Sequence, residues 1–98
     1  MTYLEELAEE IFSAVHPDRK FSGAERSLFI IYAVVSLAVG ENVTAANVHD
    51  AWAAWALERS PSHASIRPFQ DLPEIVRRKD ERYADAIREV SLRRRGLG

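Results

Sequence analysis

Apolar residues return along this chain at the spacing of an α-helix, and no segment shows the alternation of a strand. Leu4, Leu7, Ala8, Ile11, Phe12 and Val15 fall at i, i+3, i+4, i+7, i+8 and i+11, one stripe of a first helix. Glu5, Glu6, Glu9 and Glu10 lie toward its other side. Thr2 and Glu5 have the spacing of a reciprocal cap, in which the threonine oxygen accepts an orphan N–H and the glutamate reaches back. His16-Pro17 ends the helix, because a residue before proline avoids the α region.

Ser22-Gly23-Ala24-Glu25 offers the same capping device to a second helix. That helix is apolar nearly all round from Leu28 to Val39, which predicts a buried central position, and Gly40 is its natural stop. This run of twelve residues would extend roughly 18 Å, short of the ~30 Å hydrocarbon core of a bilayer. Thr44 is a good N-cap for a third helix, with Val48, Ala51, Trp52 and Trp55 in one stripe and an end near Arg59-Ser60-Pro61. Residues 60–71 read as a loop pinned to the bundle by Pro68-Phe69. Asp71 then caps a short helical turn with Pro73 early in it, and Asp80 caps a last helix striped by Tyr83, Ala86, Ile87 and Val90. The expectation is an all-α fold: a compact bundle of four main helices plus a short helical turn, with one long ordered loop at about 60–71. Residues 1–92 form a single helical domain, and residues 93–98 a basic, flexible tail.

Ninety-eight residues suit one domain with a real core. The absence of cysteine removes disulfides, thiol chemistry and thiolate metal sites, and fits a reducing compartment. The start of the chain is acidic where a signal peptide is basic, so a cytoplasmic protein is expected. Residues 1–50 hold eight acids and three bases, residues 51–98 seven acids and ten bases, for a total of −2. The positive end comes largely from Arg93-Arg94-Arg95, too narrow a basic face to predict nucleic-acid binding.

Chemistry concentrates around the third helix and the loop. His49 lies three residues before Trp52 and fourteen before His63. One reading is a pocket in which His49 and His63 hydrogen-bond a ligand and Trp52 or Trp55 gives a stacking face. The other is structural: His49 ties the loop to the helix through a backbone carbonyl, and the tryptophans fill the core. Arg67 is placed to meet an anion, or to pair with Asp71. The candidate ligand-binding residues are therefore His49, Trp52, His63, Arg67 and Asp71. The three histidines are isolated from one another, with no His-x-x-x-His pair, so neither a metal nor a cofactor is expected. No nucleophile–base set and no glycine-rich phosphate loop is present, so catalysis is not expected.

Residues 47 to about 90 resemble the ryanodine-receptor-type repeat, the Ry domain, a small helical module also found in bacteria and phages. The resemblance rests on His49 and Trp52, on His63, Ile66, Pro68, Phe69, Leu72 and Pro73, and on Arg77, Asp80 and Ile87. Between Arg59 and His63 this chain lacks the aromatic-containing stretch usual in that family. The whole chain also resembles a group of small proteins of actinobacteria and their phages, through Tyr32-Ala33-Val34, Val43-Thr44-Ala45, Val48 to Trp55, and Pro68 to Leu72. The Ry resemblance implies a binding module for a nucleotide-like small molecule or a protein partner; the resemblance to the actinobacterial and phage proteins implies no activity, and implies the host cytoplasm if the chain is phage-encoded. A protein partner would be met by the acidic face of the first helix or by the arginine tail, and the alanine-rich third helix leaves a homodimer open.

His16-Pro17-Asp18, set between two helices and followed by Phe21, is similar to the tripeptide of J-domain co-chaperones. That family precedes it with a basic helix, whereas here the helix is acidic. The simpler reading is a turn that stops one helix and leads to the next.

Overall fold

The structure, a computed structural model, describes residues 1–97. Four α-helices form it: α1 Tyr3–Val15, α2 Glu25–Val39, α3 Ala45–Leu57 and α4 Glu74–Leu92. Short 3₁₀ turns lie at Gly40–Asn42 and Phe69–Asp71. Both α2 and α4 pack against α1 and α3, so the four helices close around one core. Leu7, Ile11 and Phe12 of α1 meet Phe29 and Tyr32 of α2 and Ile87 of α4 there, each almost fully buried. Each such side chain contributes roughly 1.5–3 kcal/mol on leaving water. Among the described residues no helix is long and apolar enough to cross a membrane.

Local chemistry sets the helix ends where the sequence suggests. Thr2 and Glu5 cap α1 reciprocally. Thr44 caps α3 the same way, and Asn47 supplies the return bond. Gly40 stops α2 at φ +55°, a region where a side chain would be strained. Two arginines of α4 close other ends by donating to orphan carbonyls: Arg82 to Val15 at 2.6 Å, and Arg88 to Val43 at 2.7 Å.

Three features differ from the sequence expectation. Ser22 does not cap α2; Gly23 at φ +74° turns the chain directly into the helix, with Arg26 N–H donating to its carbonyl. Asp71 and Asp80 cap nothing, because residues 74–92 form one continuous helix that starts after Pro73. Glutamate, arginine and lysine between Glu74 and Asp80 are good helix formers, so nothing stops the helix there. Finally, α2 is buried on one side only. Val34 and Leu37 remain 50% and 58% exposed, because α1, α3 and α4 all gather on its opposite face.

Beyond Leu92 the chain continues as a wider π-type turn, Arg93–Leu97, with Gly96 inside it at a non-helical φ of +81°. Arg93 and Arg94 reach Glu10, and Arg95 reaches Glu41. The final residue of the expected tail, Gly98, lies outside the described residues.

Candidate functional site

The loop between α3 and α4 has little regular structure, so side chains must hold it. Leu72 is its buried anchor, and Phe69 is half-buried beside His49 at a ring separation of 6.2 Å. His49 makes the main tie. It is 2% exposed on α3, and its Nε2 lies 2.7 Å from the carbonyl oxygen of Arg67. A carbonyl only accepts, so Nε2 is the donor.

That assignment fixes the other ring nitrogen. Nδ1 faces Asp80 Oδ2 of α4 at 3.5 Å. With Nε2–H committed to the loop, the two groups are complementary when a single proton lies between them, on the imidazole or on the carboxyl. Burial pushes the Asp80 carboxyl above its ordinary value, and the charge and hydrogen bonding of His49 pull partly the other way. Oδ2 is buried with no hydrogen bond of normal length. One histidine thus joins three segments: α3, the loop and α4.

Around this joint opens a cleft of about 320 Å³. That is near the lower end of small-ligand pockets, roughly 300–1,000 Å³. Trp52 stacks on His49 at 5.7 Å, and His63 meets the Trp52 ring edge-on at 5.0 Å. His63 Nδ1 accepts the N–H of Ser65, which shapes the loop over the cleft. Across from them stand Tyr32 of α2 and Tyr83 of α4, whose hydroxyls are both held in the neutral form mainly by burial. Asp80 and Lys79 give the lining its charge.

Of the five residues singled out from the sequence, three converge on this cleft: His49, Trp52 and His63. Arg67 takes part through its backbone carbonyl while its side chain is exposed. Asp71 is exposed in the 3₁₀ turn and is not among the residues lining the cleft. Trp55 is directed elsewhere: its Nε1–H donates to Ser27 on α2, and Arg59 lies over its ring. Sequence reasoning missed Asp80 as a site residue, although a signal existed. Val76, Asp80, Tyr83, Ile87 and Val90 form one helical stripe with a carboxylate inside it. An acid on an apolar stripe calls for a partner. Among the described residues no group of three or more His, Cys, Asp or Glu side chains is gathered to hold a metal ion.

None of the residues of the His-Pro-Asp turn lines this cleft, although His16 touches Tyr83, which does. His16 packs between Phe12, Phe29 and Tyr83, with Nε2 3.2 Å from the Tyr83 hydroxyl. Burial is the main cause that lowers its pKa.

A family model described as a domain of unknown function (DUF7701) matches residues 2–92. The chain belongs to that family. The match takes in all four helices, and hence the whole cleft of this DUF7701 domain. No curated protein and no solved structure matches the chain.

Proposed function

We propose that this domain is a non-enzymatic binding module whose cleft between α3, the loop and α4 takes a nucleotide-like small molecule. The observation that carries the reading is the lining itself: the aromatic rings of Trp52, His63 and Tyr83, with buried Tyr32 at the base, beside one carboxylate and one ammonium. The role of His49 supports binding over catalysis. One ring nitrogen is committed to Arg67 and the other to Asp80, so neither is free as a general base. The Ry-type pattern covers the same stretch, 47 to about 90, and supports the same reading. We extend it to a protein of actinobacterial or phage origin acting in the cytoplasm.

A thermal-shift panel of nucleotides and cyclic nucleotides tests the reading. A ligand at one hundred times its Kd adds about 2.7 kcal/mol to stability. For a domain this small that moves Tm by roughly 10–20 °C. A flat panel counts against the cleft as a nucleotide site.

One observation favours a second reading, a protein partner or a second copy of the chain. Val34 and Leu37 stand exposed on α2, beside a shallow groove lined by Ile31, Val35 and Ala38 with Ala51 of α3. The acidic face of α1 and the arginine end are weaker candidates, because Glu10 and Glu41 already pair with Arg93, Arg94 and Arg95. The J-domain reading has less support still, since the His16 side chain is engaged with Tyr83. Sedimentation of the wild type and Leu37→Glu tests self-association through α2.

A further inference from the structure

Asp80 and Lys79 are neighbours on α4, and both line the cleft. They present opposite chemistry to it. The Asp80 side chain is only 14% exposed. Its Oδ2 is buried against His49, and among the described residues no hydrogen bond occupies the other carboxylate oxygen, which is the acceptor left for the cleft. Lys79 is exposed, and none of the ion pairs among the described residues involves it. The cleft therefore offers a recessed acceptor, a cation at its rim and aromatic walls from α3, the loop and α4.

We infer that the cleft selects a flat heteroaromatic ring carrying an amino group and an anionic tail, the chemistry of an aminopurine or aminopyrimidine nucleotide. The amino group donates to Asp80, the ring lies against Trp52 or His63, and the phosphate meets Lys79. The inference rests on the small-molecule reading of the cleft and adds to it which end of the ligand goes where. An anion directed at Asp80 would face a buried like charge. An alkylamine would leave the aromatic faces unused. A ring with no donor would cover Asp80 and leave the oxygen not facing His49 desolvated without a donor, which is the arrangement that discriminates most strongly between ligands.

Calorimetry on the full chain tests this with three probes: adenosine 5′-monophosphate, purine riboside 5′-monophosphate and adenosine. The first two differ only in the exocyclic amino group, the first and third only in the phosphate. Loss of the amino group should weaken binding about tenfold to a hundredfold, as expected for a hydrogen bond to a charged group. Loss of the phosphate should weaken binding less, and that difference should vanish in Lys79→Gln, a surface change that leaves the core intact. Asp80→Asn keeps an accepting oxygen but loses the charge, so it should shrink the preference for the amino group to a few-fold, and Asp80→Leu should erase it; if those variants fail to fold, the ligand comparison on the wild type still decides. Equal affinity for the two monophosphates overturns the inference and leaves a small-molecule cleft standing. No binding by any of the three, with cytidine 5′-monophosphate also silent, overturns both.

Discussion

Replacing His49 with alanine separates the tie between loop and helix from every other contact of the loop. Three effects add. The bond from Nε2 to the Arg67 carbonyl is 2.7 Å long, and a hydrogen bond of that kind contributes about 1 kcal/mol net. The stacked pair with Trp52 contributes about 0.5–1.5 kcal/mol. The ring is 2% exposed, so its removal leaves a cavity and an Asp80 with no counterpart, for roughly 1–2 kcal/mol more. The total is about 2.5–4.5 kcal/mol, or roughly 10–35 °C in Tm for a domain of this size. Arg67→Ala keeps the accepting carbonyl and removes an exposed side chain, so it should stay within about 0.5 kcal/mol. Urea unfolding of both variants measures the difference, and limited proteolysis should cut residues 58–68 faster in His49→Ala alone. If the two variants unfold at the same urea concentration, or His49→Ala loses under about 1 kcal/mol, the loop is not held by this bond.

Asp80 makes a pH prediction. Burial raises its folded pKa above the ordinary 3.8, so the native state binds this proton more tightly than the unfolded chain. The stabilisation is complete below the unfolded value and is lost as pH rises through the folded one; wild type should therefore fall in stability relative to Asp80→Asn over that window, and parallel curves would refute the assignment. His16 has the opposite sign: its lowered pKa stabilises above the ordinary 6.5 and the contribution is lost as pH falls through the folded value, which His16→Gln should remove in acid-unfolding curves. Ser36 and Ser91 share a buried hydroxyl pair at 2.9 Å, so either single alanine variant should cost about 1–3 kcal/mol and the double variant little more than one single, as read from a double-mutant cycle. Thr44→Ala removes the reciprocal cap of α3 and should cost about 1 kcal/mol in urea unfolding.

Which features were legible in the sequence follows from the range of the interactions that make them. The caps at Thr2 and Thr44 and the stop at Gly40 act across three or four residues, and each is present where the residue pattern placed it. The stripe of α1 was equally plain, because all its apolar positions face one way. Asp80 was misread for the same local reason: aspartate before an apolar stripe resembles a cap until a partner 31 positions earlier is known. Arg67 carries a guanidinium that suggests an anion site, yet any residue there supplies the carbonyl that His49 needs.

The sequence by itself determined an all-α chain, most of its helix limits, and a cluster of aromatic and histidine residues around the third helix. Helix formation is decided by hydrogen bonds and side-chain spacing within a turn or two, and these are written locally. Tertiary structure alone decided that Asp80 faces His49, that Lys79 edges the same cleft, and that the outer side of an almost uniformly apolar α2 stays in water. A helix with apolar residues on every side has no preferred face. Which side is covered depends on where the stripes of the other three helices can be buried together.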